Sequence, residues 1–381
     1  MNLIKIIFIS IFLIACTSKE VDLETQPAEL VAFENTVNLK KIWSKSIGGS
    51  SEFLRLALRP TSDGSRIFAA SHNGNIVALD ALTGNEIWER KTNLSLSAGP
   101  GTDGKIVIVG SKDGDVVALD AKNGEQLWLK GVTSEVLAIP AVAAGKVFLR
   151  TVNGKLNALS VDSGNQLWTA QQSMPRLSLR GTSSPVVSRG LVISGFDNGR
   201  VAAFDTEDGN LIWEVVLQSP TGRTEIDRLV DINSDLQPAG GDLYAVGYQG
   251  RLGAIALESG QLIWSQELSS HSGLTVDSNN IYVSAQNSEI IALSRGSGRQ
   301  IWRSEMLRNR DITAPVAFAG SIVVGDFEGY LHFFDPITGD IQSRIRADDA
   351  RITSQQLVVN DLLYAMTDKG LLTAFGFLKF N

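Results

Sequence analysis

One frame returns along the whole chain and fixes what it can fold into. Ala78-Leu79-Asp80 is followed by Thr83-Gly84 and then Trp88, and Ala118-Leu119-Asp120 by Asn123-Gly124 and Trp128. Ala158-Leu159-Ser160 is followed in the same way by Ser163-Gly164 and Trp168. The frame continues from Ala203 to Trp213, Ala254 to Trp264 and Ala292 to Trp302, and an eroded copy runs from Phe333-Phe334-Asp335 through Thr338-Gly339 to Ser343. In these seven copies the first residue and the Trp position are ten residues apart. Two fragments remain: Trp43 has no Ala-Leu-Asp before it, and Ala374-Phe375-Gly376 has no Trp strand after it. The start supplies what the end lacks, so eight units close into a ring. A period of roughly 40 residues with about four short strands per unit is the signature of a β-propeller. The expected fold is all-β: an eight-bladed β-propeller with four-stranded antiparallel blades, closed by the N-terminal strand. That closure removes a sheet edge otherwise open to aggregation.

Turn chemistry predicts the order of strands within a blade. Four residues before each motif start stands a hairpin tip (Gly74, Gly114, Gly154, Gly199, Gly250, Ser288, Gly329, Gly370), and Asn or Asp precedes several of them. Asn-Gly and Asp-Gly pairs predict tight two-residue hairpins. Pro60, Pro100, Pro140, Pro185 and Pro315 each lie eighteen residues before a motif start and open the innermost strand. The motif Asp is placed to accept backbone N–H groups in the following turn, whose strain the Gly relieves. The Trp has the size to bury itself between neighbouring blades.

The chain has 381 residues, a formal charge of −7 and a single cysteine, Cys16. An acidic balance without a basic stripe excludes nucleic acid as a partner class, and one cysteine excludes an intramolecular disulfide. Lys5, the apolar run from Ile6 to Ile14 and the sequence Leu13-Ile14-Ala15-Cys16 read as a secretory signal with a small-residue cut site. Leu-Ile-Ala-Cys resembles the bacterial lipobox, which implies a lipidated Cys16 and a membrane partner through the lipid anchor. Thr17 after it, by the same resemblance, implies delivery to the outer membrane, with the protein facing the periplasm. Residues 1–15 are thus expected to be the signal peptide, 16–36 the lipidated Cys and a flexible acidic tether, and 37–381 the propeller.

The repeat is lengthened in three places, of which the first, between Trp43 and Pro60 with Gly48-Gly49-Ser50-Ser51, reads as plain flexible loop. The step from a Trp to the next motif start is 30 residues after Trp88 and after Trp128, but 35 after Trp168 and 41 after Trp213. Both excesses precede the Pro of the next blade, at Pro185 and Pro238, so both enlarge the loop from one outer strand to the next inner strand. Loops of one class from consecutive blades are neighbours on one face of the disc. They contain Met174-Pro175-Arg176-Leu177-Ser178-Leu179-Arg180-Gly181-Thr182 and the run 221–233 from Thr221 to Asn233. Exposed Leu beside Arg, with carboxylates close by, has the composition of a protein-binding patch. The plain alternative is that the loops pack on each other, with Leu177 and Leu179 buried. His72, His271 and His332 lie in different blades without metal-ligand spacing and read as surface or turn histidines. No nucleophile–base pair or phosphate-cradling loop stands out, so no catalytic residue, cofactor or metal is assigned.

The Ala-x-Asp-x-x-x-Gly-x-x-x-Trp frame resembles the repeats of pyrroloquinoline-quinone dehydrogenases. Their adjacent cysteines, calcium ligands and catalytic Asp find no counterpart here. The lipobox, the acidic tether, eight blades and the strings Leu177-Ser178-Leu179-Arg180-Gly181-Thr182-Ser183 and Thr224-Glu225-Ile226-Asp227-Arg228-Leu229 resemble more closely a propeller lipoprotein family. That family belongs to the β-barrel assembly machinery of the outer membrane. The resemblance implies a non-enzymatic scaffold that docks on the periplasmic domains of BamA, the membrane-embedded barrel component of the assembly complex. It places the partner-binding role on Leu177, Leu179, Arg180 and Asp231, with Asn233 where a second acidic residue is expected. Unfolded outer-membrane proteins, received at blade edges, are a further class of partner in this reading. The other reading is a periplasmic propeller that binds a quinone or sugar and has oxidoreductase activity.

Overall fold

A computed structural model of the chain describes residues 26–49, 56–178 and 183–377. Among them every regular element is a β-strand, and the strands form eight sheets. The first blade comprises Thr61–Ser62, Arg66–Ala70, Asn75–Asp80 and Glu86–Lys91. Six more blades follow the same antiparallel plan, the last of them the seventh, Val316–Phe318 to Ile341–Arg346. The eighth takes three strands from the C-terminal end and its outer strand, Lys40–Ser46, from the N-terminal end, with Trp43 opposite Ala374. Eight blades and closure through the N-terminal strand are thus as the repeat predicts. One addition is a short strand, Ala57–Leu58, paired parallel to Ala98 and Gly99 on the inner strand of the second blade.

The inner runs are buried because alternate side chains of each blade face its two neighbours. Ile67 to Ala70, Val107 to Val109 and Val147 to Leu149 are fully covered. Each Trp then crosses to the following blade. The indole N–H groups of Trp43, Trp88, Trp128, Trp168, Trp213, Trp264 and Trp302 donate to carbonyls in the next motif turn at 2.8–3.1 Å. The motif glycines have positive φ and sit directly under these rings, where a side chain would collide. The Asp80 carboxylate accepts the N–H groups of Leu82 and Thr83, the turn role read from its position.

The hairpin tips differ from the expectation. At residues 71–75 the N–H of Gly74 donates to the Ser71 carbonyl and that of Ser71 to the Asn75 carbonyl, and only Gly74 has positive φ. This is a three-residue loop, a type I turn closed by a left-handed Gly, and not a two-residue loop with both central residues left-handed.

The seventh blade carries Ser343 where the others carry Trp, and the chain compensates in two ways. Phe318 stacks on Phe377 across the seam to the eighth blade, with centroids 6.1 Å apart. The N-terminal segment also lies along this blade's outer strand. The Thr36 N–H donates to the Gln342 carbonyl at 2.8 Å, Asn35 exchanges hydrogen bonds with the Arg344 main chain, and Phe33 sits under the Arg344 guanidinium. Ala28 is bonded to the Arg308 carbonyl and to Arg310. Residues 26–36, expected to be flexible tether, are therefore tied to the ring by hydrogen bonds the local composition does not announce. His332 is not a surface residue either. It is fully buried, donating to Asp326 at 2.9 Å and accepting from Arg344 at 3.2 Å. Residues 1–25, including Cys16, lie outside the described residues.

Candidate docking face

The two enlarged loops run from Gln171 to Val186 and from Val216 to Gln237, and both join an outer strand to the next inner strand. They share a face with the hairpin tips: Asn198, in the fourth-blade tip, donates to the Ser173 carbonyl at 3.1 Å. Leu177 is exposed, at 44% of its full surface. In the second loop residues 221–228 are all exposed, and Ile226 shows 66% of its surface. A single helical turn shapes this projection. Thr224 Oγ1 accepts the Asp227 N–H and Asp227 Oδ2 accepts the Thr224 N–H, each at 3.1 Å, while the Arg228 N–H reaches the Thr224 carbonyl. These are the reciprocal bonds of a capping box, with Asp in the place of Glu. They hold the Asp227 carboxyl below its ordinary range.

The loop is rooted at its C-terminal end. Val230, Asp231 and Ile232 are buried, the Asp231 carbonyl accepts the Tyr248 N–H, and the Ile232 N–H reaches the Phe196 carbonyl. Ile232 packs on Gly195, which has no room for a side chain. The Asp231 carboxylate, 1% exposed, has no hydrogen-bond partner among the described residues and lies in the field of Arg150. Arg150, 3% exposed, ends an inner strand of the third blade, forms an ion pair with Asp197 of the fourth, and lies over the Phe196 ring. Burial pushes the Asp231 carboxyl up to about 6, against the pull of Arg150, and burial holds Arg150 down to about 10.

The residues singled out by resemblance thus separate. Leu177 faces solvent on the loop, Asp231 lies beneath it, and Asn233 is half-buried on the wall of the central channel. Leu179 and Arg180 lie outside the described residues. Two further buried charges lie at this root and are not among the residues singled out, Arg150 and Asp197. The signal was present: the fifth residue of the second strand is Ala70, Gly195, Val246, Ser284, Gly325 and Met366 in six other blades, and a charged Arg150 in the third.

The channel encloses a cavity of about 910 Å³. Its acids Asp235 and Asp311 are engaged by Arg59 and Arg351, and among the described residues no three His, Cys, Asp or Glu side chains converge. These residues do not fit the calcium–quinone pair of the dehydrogenases.

Fold and face together define an eight-bladed, quinoprotein-like propeller with one elaborated rim. The sequence matches, over residues 16–94, 72–304 and 286–378, the family described as outer membrane protein assembly factor BamB, and the chain belongs to that family. It is 41% identical to the outer membrane protein assembly factor BamB of Pseudomonas aeruginosa over 367 residues, 96% of each chain. Among solved structures it is similar to BamB from Moraxella catarrhalis, with a TM-score of 0.82 and 28% identity over 89% of this chain and all of that one. A europium-containing methanol dehydrogenase, at 13% identity and a TM-score of 0.70 over 91% of this chain and 95% of its own, shares the fold alone.

Proposed function

We propose that this propeller is a non-enzymatic scaffold of outer-membrane β-barrel assembly, anchored to the outer membrane through Cys16 and facing the periplasm. Its two enlarged loops dock on the periplasmic domains of BamA. The observation that carries this reading is the pair of neighbouring loops on one face, which present Leu177 and Ile226 to solvent beside Arg223, Glu225 and Arg228. Apolar anchors rimmed by mixed charge are how a modest, salt-sensitive protein interface is built. Membership of a family of outer membrane protein assembly factors supports it. Its contribution is positional: the ring holds the partner's domains in a productive arrangement.

The test is the affinity of the full chain for the BamA periplasmic domains, with and without Leu177→Asp plus Ile226→Asp. Both side chains are exposed, so the variant keeps its melting temperature while docking falls by about tenfold or more, as for loss of a central apolar anchor. Equal affinity in the two proteins would remove these loops from the interface.

A further inference from the structure

We infer that Asp231 acts on the docking face from beneath it: Asp231 and Asp197 both lie in the field of Arg150, and this buried triad positions the root of the 217–229 loop without touching the partner. The inference rests on the docking reading above and changes what one of its residues does.

Three separate stretches meet at this point. Arg150 comes from the third blade, Asp197 from the tip of the fourth, and Asp231 from the entry to the fifth. Each is at most 3% exposed, so a partner side chain cannot reach any of them while the loops stay in place. Arg150 is ion-paired to Asp197, yet its Nε and Nη1 have no hydrogen-bond partner among the described residues, and neither oxygen of Asp231 has one. Arg150, ion-paired to one carboxylate and with a second in its field, thus lies in a covered site, an arrangement that raises the free energy of the fold relative to a neutral filling. The cost falls at the seam beneath the two enlarged loops, where the corresponding strand position of the other blades is uncharged. The backbone explains what the charge controls. Asp231 is held to Tyr248 on one side and, through Ile232, to Phe196 on the other. The attraction between its carboxylate and Arg150 sets how the chain enters that slot, and hence where the turn at 224–229 projects. Asp231 is a positioning residue.

The experiment compares the full chain with Asp231→Asn, Arg150→Met and the double variant. Binding to the BamA periplasmic domains is measured as a function of salt, and amide exchange is followed at Arg228 and Leu229. The expected result for Asp231→Asn is a loss of about three- to thirtyfold in affinity, typical of a coupled residue that makes no contact. The salt slope stays as in wild type, the Arg228 and Leu229 amides exchange faster, and the effect is non-additive with Arg150→Met. A shallower salt slope with unaltered exchange would make Asp231 a direct contact and overturn the inference, as would unaltered affinity and exchange. If the wild-type ring does not bind these domains, the docking reading fails by itself. Exchange and the Arg150–Asp231 coupling in the free ring then still decide the triad.

Discussion

The indole N–H of Trp213 in the fourth blade donates to the Leu257 carbonyl of the fifth at 3.0 Å, and its ring occupies the place where a side chain on Gly260 would stand. The same pairing of a Trp with the Gly of the next blade recurs at seven seams, so seven of the eight blades hold their neighbour by this contact.

This gives a matched pair of substitutions. Gly260 has φ +70° and a Cβ there would stand 2.7 Å from the Trp213 ring, whereas nothing lies near Gly241, which is outside the left-handed region. Gly260→Ala is expected to cost roughly 2–4 kcal/mol, from the left-handed backbone and the collision together. Gly241→Ala is expected to be close to neutral. Denaturant unfolding of the two variants side by side checks the difference.

Among the described residues Arg150 is the only cation paired with Asp197, and Asp231 shares its field. Arg150→Met therefore leaves two buried carboxylates uncompensated, at a cost of about 3–5 kcal/mol near neutral pH. The loss shrinks on acidification, because Asp231, which burial pushes up to about 6, takes up a proton and loses its charge. Unfolding measured at pH 7.5 and pH 5 reads both statements, and a loss independent of pH would contradict them.

Asp231 has its own pH signature. Its folded-state value, about 6, lies above its ordinary 3.8. A raised value means that the folded state binds the proton more tightly, so its stabilising contribution is complete below about pH 4 and is lost as pH rises through 6. Relative to Asp231→Asn, wild type should lose on the order of 2–3 kcal/mol across that window. Stability curves of the two proteins between pH 4 and 7.5 test it, and parallel curves would refute it.

The N-terminal segment makes a separate prediction. Phe33 under Arg344 and Asn35 on the Arg344 main chain fasten residues 28–36 to the seventh blade, outside the ring's own closure. Phe33→Ala with Asn35→Ala should open the segment to limited proteolysis while leaving ring unfolding nearly unchanged, since opening there is local. Cleavage at the wild-type rate would show that these contacts do not hold it.

The amino-acid sequence by itself determined the number of blades, the ring closure, the burial of each Trp between neighbouring blades and the class of the two enlarged loops. Those features are written in fixed local spacings: an Asp that caps its own turn, a Gly with positive φ, and a Trp ten residues after the motif start. Family membership was legible for the same reason, in the loop strings 177–183 and 224–229. Only the tertiary structure decided that Asp231 is buried while Leu177 is exposed, that Arg150 and Asp197 belong with Asp231, that His332 is a core residue, and that residues 26–36 lie along the seventh blade and the loop that leads into it. Each of these depends on groups dozens to hundreds of residues apart. Local spacing fixes which turn a residue makes; whether its charge faces water or another charge is set only when distant blades close around it.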